Sequence, residues 1–294
     1  MNIRNWTKSV FALTLFGLLL LAGSADAQDK DYSNLLIQKG PAKTFKQHIA
    51  KTQVSDAVLE ELETMDDPGP IILLNFVRFR PHRDPTYYMA YGKMSGAEQV
   101  VEGAWQLFAG GAIYDLDPAF GFDNSWDEIA APLYRRRAAY GVANASEAYQ
   151  LGMPDRVAGT YQRHLYSLVD GEQLLPASLT IQQVHDNHIS LKVTKGEVII
   201  GEFLRFKTRN GRQTYKKYGE AIAPLIKKAG GEIVLSVDCE LPIVSEELWD
   251  HFVMTRYPSL EAYENLFKTD GWIEASRLRR AALDASMAAP FQSE

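Results

Sequence analysis

The chain has 294 residues, of which 46% are hydrophobic and 23% are charged, and its formal net charge is −6. This composition is typical of a globular protein and excludes a disordered or fibrous chain. A mildly acidic chain without a long basic block is poorly suited to phosphate backbones, so we expect no nucleic-acid partner. With a single cysteine, Cys239, the chain cannot form an intrachain disulfide or a cysteine-based metal cluster. Its length suffices for about two domains.

Residues 1–27 are predicted to be a secretory signal peptide. Arg4 and Lys8 form a positively charged start, the apolar run 10–22 follows, and Ala25-Asp26-Ala27 is a small-residue cleavage site before Gln28. The apolar run is shorter than the roughly 20 residues of a membrane span. We therefore expect a secreted, periplasmic protein that has no membrane attachment after cleavage.

The remaining chain contains one sequence pattern twice. Residues 71–79 match 198–206 at an offset of 127. Further matches follow in the same order. Tyr88, Tyr91 and Gly92 match Tyr215, Tyr218 and Gly219 at an offset of 127. Ala109-Gly110-Gly111 matches Ala229-Gly230-Gly231 at an offset of 120, and Trp126-Asp127 matches Trp249-Asp250 at an offset of 123. Ordered matches of this kind indicate an internal duplication. The change of offset from 127 to 120 predicts seven additional residues, about two turns, in the first helix of the first copy.

Each copy has the pattern strand, helix, strand, strand, helix, strand. The pattern predicts an α+β fold in which two ferredoxin-like βαββαβ units in tandem form a barrel within one chain, an intrachain pseudo-dimer. The expected strands are 71–80, 112–116, 127–135 and about 173–179 in the first copy, and 198–206, 232–237, 250–257 and, if present, 287–291 in the second. The expected boundaries are a signal peptide at 1–27, an N-terminal extension at 28–70 with a helix from Val54 to Leu62, units at 71–180 and 198–294, and a linker at 181–197.

These motifs resemble the family catalogued as domain of unknown function 1330, in the dimeric α/β-barrel superfamily. The resemblance rests on I-L-L-N-F-V-R-F, Y-x-x-Y-G, A-G-G, W-D and R-Y-P-S-L-E-A-Y, and it covers nearly all of 71–168 and 198–285. The first copy departs from the family at Arg135-Arg136-Arg137, where the second has Pro258-Ser259-Leu260. The resemblance implies two face-to-face sheets and no particular activity. Relatives in the superfamily include cofactor-independent monooxygenases, muconolactone-type isomerases and haem-binding chlorite dismutase-like proteins.

Polar residues at matching places in the two copies are the candidate site residues. Asn75 and Glu202 interrupt an apolar strand face, where a carboxylate needs a partner or a raised pKa. Glu128 and His251 begin the third strands, and His251 is the best candidate for a general base. We therefore assign His251 and Glu202 as catalytic candidates that neighbouring strands bring together. The alternative for both is a hydrogen-bonded structural role.

The candidates for ligand binding are Asn75, Glu128, Arg205, Tyr91 and Tyr218. The tyrosines of the first helices are expected to pack in the core with their hydroxyl groups at its rim. Arg78 and Arg205 are expected to form ion pairs with Asp127 and Asp250, with anion binding by Arg205 as the alternative.

The sequence predicts no metal site, because His185 and His188 lie in a polar linker, and it indicates no cofactor. The favoured function is binding of a small, partly apolar molecule between the two sheets. The alternatives are a cofactor-independent isomerase or monooxygenase, a haem enzyme with a histidine facing the pocket, and a structural scaffold. The expected partner is a small-molecule ligand, and assembly into a homo-oligomer stays open.

Overall fold

The structure is a computed structural model that describes residues 31–293 apart from 68, 115, 118, 119 and 209. The expected signal peptide and its cleavage site lie outside the described residues. Everything described below belongs to one unit, Tyr32–Glu294. Among the described residues, no helix combines the length and the apolar character that crossing a bilayer requires.

The described chain forms eight strands and ten α-helices. The strands are β1 (Ile71–Phe79), β2 (Trp105–Ala112), β3 (Glu128–Tyr134), β4 (Thr160–Val169), β5 (Val198–Phe206), β6 (Glu232–Val244), β7 (His251–Tyr257) and β8 (Leu283–Gln292). The helices are α1 (Phe45–Ala50), α2 (Asp56–Thr64), α3 (Thr86–Val101), α4 (Arg137–Ala145), α5 (Glu147–Leu151), α6 (Met153–Gly159), α7 (Ile181–Asp186), α8 (Gly211–Lys228), α9 (Leu260–Leu266) and α10 (Asp270–Ala282). Side-chain caps define several helix starts: Ser55 accepts from the amide of Val58 at α2, and Thr269 accepts from that of Trp272 at α10.

The strands close into an antiparallel barrel in the order β1-β3-β2-β8-β5-β7-β6-β4. We call residues 71–169 the first half-barrel and residues 198–292 the second half-barrel. Their internal strand orders are β4-β1-β3-β2 and β8-β5-β7-β6, and the β2–β8 and β4–β6 pairs join them. The α+β class and the barrel are therefore confirmed.

The barrel interior is filled by side chains. Alternate residues of β1 point inward, and β1 is apolar on both faces because the helices cover its outer face. The ring of Phe76 contacts those of Phe203 and Phe291, with centroid separations of 5.3 and 5.0 Å. A Cβ added at Gly201 would lie 3.0 Å from the Phe76 ring. The space between the sheets, where a ligand was expected, is thus occupied by aromatic residues.

The predicted position of the second strand in the first copy is wrong. Helix α3 ends at Val101, and the chain turns at Gly103, whose φ of 74° matches the φ of 78° at Gly230. Gly110 and Gly111 lie inside β2 rather than at the end of a helix. The Ala-Gly-Gly match at offset 120 is therefore not a structural match, and α3 contains no additional turns.

The fourth strands also differ from the expectation. β4 occupies Thr160–Val169, before the predicted 173–179, and β8 extends over Leu283–Gln292 where only a short or missing strand was expected. The expected helix in the N-terminal extension is α2, which begins two residues after Val54.

Candidate ligand-binding site

A cavity of about 210 Å³ lies between the outer face of the first half-barrel and helix α3. Strands β1 to β4 supply its floor, α3 supplies its roof, and α4 and α5 each contribute one tyrosine. The polar side chains that line it are Asn75, Tyr88, Tyr91, Ser95, Gln99, Gln106, Glu128, Tyr134, Tyr140, Tyr149 and Arg163. Of the residues predicted to bind a ligand, Asn75, Glu128 and Tyr91 are at this cavity.

The cavity exists because α3 presents small residues to the sheet. A Cβ added at Gly92 or at Gly96 would meet no atom within 4 Å, and Ser95 lies between them on the same helix face. The space around these residues is open although Ser95 itself is only 2% exposed. The small residues of α3 therefore leave space above the sheet.

The corresponding helix of the second half-barrel is fully packed. A Cβ added at Gly219 would lie 2.2 Å from the carbonyl oxygen of Leu174. Ile222 and Ile226 are buried against the sheet in the same apolar cluster as Tyr215. At the offset of 127, Ile222 corresponds to Ser95. Large side chains therefore fill the space between helix and sheet in the second half-barrel, and small ones leave it open in the first.

Asn75 joins two polar groups at the floor of the cavity. Its Nδ2 donates to the hydroxyl of Tyr88 at 2.7 Å, and its Oδ1 accepts from Nε of Arg163 at 3.2 Å. Nη1 of Arg163 donates to the carbonyl oxygen of Thr52 at 3.1 Å. Arg163 is 4% exposed, and no described carboxylate forms an ion pair with it. Among the described residues, the hydrogen-bond partners of this buried cation are neutral, and the Glu128 carboxylate also lines the cavity.

A second buried arginine lies behind two of the lining tyrosines. Tyr91 donates to the hydroxyl of Tyr149 at 2.8 Å, and Nη1 of Arg156 donates to both phenol oxygens, at 3.3 and 3.1 Å. Arg156 is 0% exposed, and its Nε and Nη2 have no hydrogen-bond partner among the described residues. Burial alone would raise the pKa of Tyr91, but Arg156 and Arg163 outweigh it and lower that pKa below its ordinary value.

The catalytic candidate Glu202 lies away from this cavity, in the second half-barrel. Its carboxylate forms an ion pair with Arg279 of α10, and Arg279 also donates to Oγ of Ser286 at 2.9 Å. Tyr218, a predicted ligand-binding residue, is buried in the adjoining apolar cluster. Glu202 is therefore the partner of a neighbouring cation.

His251 does not contact Glu202, contrary to the proximity that we expected. In the β5–β7 register His251 lies opposite Leu204, and its imidazole is bound on both sides. Nδ1 lies 2.8 Å from Oδ1 of Asp238, and Nε2 lies 2.8 Å from Oγ of Ser236. Burial lowers the pKa of His251 although the Asp238 carboxylate acts to raise it.

The Ser236, His251 and Asp238 contacts resemble those of a nucleophile, a base and an orienting acid. Ser236 is 2% exposed, however, and its Oγ already accepts the amide hydrogen of Leu175 at 3.2 Å. Because this oxygen is buried and already hydrogen bonded, we interpret the three residues as a structural network.

The expected ion pairs between first and third strands are wrong. Oδ2 of Asp127 accepts the amide hydrogen of Phe79, and Oδ2 of Asp250 accepts that of Phe206, each at 2.6 Å. These aspartates satisfy backbone donors at the ends of β1 and β5, which would otherwise lack a partner.

The two arginines have other contacts. Arg78 lies over the ring of Tyr161, at 4.7 Å from its centroid. Arg205, a predicted ligand-binding residue, pairs with Asp284 at 2.9 Å and Glu247 at 3.2 Å, away from the cavity.

The arrangement offers no support for a metal or haem site. Within the described residues no group of three His, Cys, Asp or Glu side chains is placed to hold a metal ion. His188 stacks on Trp105 at 4.6 Å. No described histidine lines the cavity, and its volume suits about one aromatic ring rather than a porphyrin. The haem alternative therefore does not fit these residues.

Sequence reasoning missed Arg156, Arg163 and Tyr149 as members of this site. The segment that carries them was read as a helical region without assigned faces. One signal was present in the sequence: at the offset of 127, the small polar Ser95 aligns with Ile222, which marks a difference in packing between the copies.

Comparisons with known proteins give one family match and several distant structural similarities. The protein of unknown function RPA0582 from Rhodopseudomonas palustris is 24% identical, with a TM-score of 0.35 over 40% of this chain and 94% of that one. An anthrone oxidase-like protein is 12% identical, with a TM-score of 0.48 over 77% and 92%. A mutant chlorite dismutase from Candidatus Nitrospira defluvii is 9% identical, with a TM-score of 0.43 over 80% and 95%.

No curated protein matches the chain. The three structural similarities, each with a TM-score below 0.5, establish no function. The family match is to a model described as Domain of unknown function (DUF1330), and it covers part of the second half-barrel. A DUF1330 domain is thus present at residues 204–289.

Proposed function

We propose that the protein binds a small, partly apolar molecule of about one aromatic ring in the cavity beneath α3. The observation that carries this proposal is the contrast between Ser95, which leaves space above the sheet, and Ile222, which fills it. An enclosed cavity of about 150 Å³ is enough to bind benzene. The cavity of about 210 Å³ accommodates such a ring with a small substituent.

The lining supports a ligand with one apolar and one polar part. Leu73, Ala109, Ala130 and Pro132 offer apolar surface, while Arg163 and Asn75 provide polar contacts on one wall. Small-molecule sites typically combine apolar surface with a few placed polar groups. Phe76 and its aromatic neighbours fill the described part of the barrel interior, so we place the ligand outside the barrel.

A binding screen with single-ring compounds tests the proposal. We expect ligand-observed NMR to detect binding to the wild-type protein and not to Ser95→Ile, which introduces the side chain of the second half-barrel. The matched control is Ile222→Val, which leaves the cavity untouched and should bind as the wild type does. Equal binding by Ser95→Ile and the wild type would contradict the proposal.

A second candidate is a cofactor-independent isomerase or monooxygenase. The observation that favours it is Tyr91, which lines the cavity and whose hydroxyl contacts Arg156 and has a lowered pKa. Such a phenol can exchange a proton with a bound molecule. The ultraviolet absorbance of tyrosinate, followed across a pH titration, should show one early-titrating tyrosine that Tyr91→Phe removes. If no tyrosine titrates early, binding remains the proposed function.

We also propose that the half-barrels arose by duplication of one ferredoxin-like unit, with units at 71–180 and 198–294 and a linker at 181–197. Matched backbone contacts support this: Arg80 donates to the carbonyl of Gly159, and Lys207 donates to that of Ala282. The registers match as well, since Gly111 pairs with Glu128 where Asp238 pairs with His251. The chain then resembles a dimer within one polypeptide.

Export completes the proposal. The Ala-Asp-Ala site motivates cleavage before Gln28 and a periplasmic mature chain without membrane attachment. N-terminal sequencing of exported protein should begin at Gln28, and a mature chain that retains residues 18–21 would contradict export by cleavage. Light scattering of the same sample would measure any assembly into a homo-oligomer.

A further inference from the structure

The two half-barrels place an arginine at the same position before their last strands. Arg279 precedes Ala282 by three residues, and the carbonyl of Ala282 accepts the amide hydrogen of Lys207. Arg156 precedes Gly159 by three residues, and the carbonyl of Gly159 accepts the amide hydrogen of Arg80. The matched backbone contacts make Arg156 and Arg279 structural counterparts.

Within the described part of the chain, only one of these arginines has a carboxylate partner. Arg279 forms an ion pair with Glu202 of β5. Asn75 occupies the corresponding place on β1: it pairs with Ala130 and Leu165 in the sheet, as Glu202 pairs with Val253 and Ala288. The first half-barrel therefore has a neutral amide where the second has a carboxylate.

The first half-barrel also has an additional cation. Arg163 lies on β4 at the cavity, where its counterpart on β8 at the offset of 123 is Ser286. Arg156 and Arg163 are 0% and 4% exposed, and no described carboxylate forms an ion pair with either. Two cations are thus buried near one cavity, and the Asn75 position supplies no carboxylate to offset them, while the Glu128 carboxylate lines the same cavity.

Burying a charge without a counter-charge is costly, so buried arginines are normally paired. Hydrogen bonds from Arg156 to the phenols of Tyr91 and Tyr149 relieve part of this cost. Arg163 donates from Nε and Nη1 to neutral oxygens, and no described hydrogen bond engages its Nη2. Arg163 lines the cavity, and we therefore take this nitrogen as the contact point for a bound molecule.

We infer that the ligand is a single-ring aromatic oxyanion, a carboxylate or a phenolate, whose charged oxygen pairs with Arg163 in the space left open by Asn75 and Ser95. This inference rests on the proposed function, because it assumes that the cavity is a binding site. The anion supplies in the first half-barrel the negative charge that Glu202 supplies in the second. The ring lies against the apolar surface between β3 and α3.

Calorimetry with two isosteric probes tests the charge. Benzoate and benzamide have nearly the same shape, and only benzoate is an anion. We expect the wild-type protein to bind benzoate at least about tenfold more tightly, since a charge-assisted hydrogen bond is stronger than a neutral one. 4-Nitrophenolate, used in parallel, distinguishes a phenolate site from a carboxylate site. Arg163→Gln should remove the preference for the anion, and the exposed Arg277→Gln should retain it.

A second variant keeps the test decisive if Arg163→Gln folds poorly. Asn75→Glu introduces the carboxylate of the second half-barrel, so we expect it to raise the melting temperature and to abolish benzoate binding. Benzoate binding as tight as in the wild type would overturn the inference. Equal affinity of the wild type for benzoate and benzamide would also overturn it and would leave the proposed function standing. If no single-ring compound of any charge binds, the proposed function itself fails.

Discussion

Asn75 and Glu202 lie at the same place on the first strands of the two half-barrels, but Glu202 is charged and Asn75 is neutral. Glu202 is ion-paired with Arg279, whereas Asn75 is hydrogen bonded to Tyr88 and Arg163. The second half-barrel is thereby closed by its own side chains. The first has a cavity and two arginines without an ion pair among the described residues, which makes it the half that is suited to a ligand.

The first prediction concerns the stability of the cavity-filling variant. Ser95→Ile replaces empty space by an apolar side chain that the matching position of the other half-barrel already accommodates. We expect the free energy of unfolding to stay unchanged or to rise by about 0.5–2 kcal/mol in urea denaturation. The reverse change, Ile222→Ser, should lower it by about 2–4 kcal/mol, because it opens a cavity in a packed core. A large loss of stability in Ser95→Ile would show that the space is already filled.

The second prediction concerns Glu202. Glu202→Gln keeps the volume of the side chain but removes the counter-charge of Arg279, so we expect a loss of about 1–3 kcal/mol in the free energy of unfolding. Ligand affinity at the cavity should not change. Glu274→Gln, in an exposed pair with Arg277, serves as the control and should cost at most about 0.5 kcal/mol. A change in ligand affinity without a change in stability would restore Glu202 as a site residue.

The third prediction concerns His251. His251→Ala removes a fully buried imidazole and its hydrogen bonds to Ser236 and Asp238, which keep their contacts with Leu175 and Arg212. We expect a loss of about 2–4 kcal/mol in chemical denaturation, because buried hydrogen bonds are lost and a cavity is left in the core. Among molecules that remain folded, the affinity for single-ring ligands should equal that of the wild type. Lost binding in a stably folded His251→Ala variant would argue for a role in the site.

The fourth prediction concerns stability at acid pH. His164 lies inside the barrel near Trp126 and Phe203, and burial lowers its pKa from 6.5 to about 3. Because the folded chain keeps His164 neutral, its contribution to the free energy of unfolding is fully present above about pH 6.5. As the pH falls from 6.5 toward 3, His164 is protonated in the unfolded chain but not in the folded one, so the free energy of unfolding decreases. The contribution to the slope is up to about 1.4 kcal/mol per pH unit.

Urea denaturation at several pH values between 7 and roughly 4 measures this slope. His164→Phe should reduce this slope by the contribution of about one titrating proton, whatever the effect of the substitution on stability at pH 7. His185→Gln changes a histidine outside the barrel and should keep the wild-type slope. Identical slopes for the wild type and His164→Phe would show that His164 does not titrate as its burial implies.

Much of the barrel could be predicted from the sequence, because β1, β3, β5 and β7 are continuous apolar runs bounded by turn residues. The second strand was misplaced for a physical reason. Gly110 was interpreted as the end of a helix, but it is in β2 because β8 passes so close that a Cβ would lie 2.4 Å from the carbonyl oxygen of Gln292. Such a close approach of two strands depends on tertiary structure, which a local sequence pattern does not reveal.

The site could be predicted only in part. Asn75, Glu128 and Tyr91 were identified as interruptions of apolar patterns, and they do line the cavity. The cavity itself could not be predicted, since a strand that is apolar on both faces does not reveal which face points into the barrel. Arg163 was missed because its strand was expected about ten residues later in the chain.

The most direct test of the central claim is a crystal structure of the wild-type protein soaked with benzoate. The account predicts electron density for the ring between β3 and α3, with the carboxylate within hydrogen-bond distance of Arg163. Density for the ring inside the barrel, against Phe76 and Phe203, would contradict it. So would a first half-barrel in which side chains of the protein occupy the space beside Gly92 and Ser95.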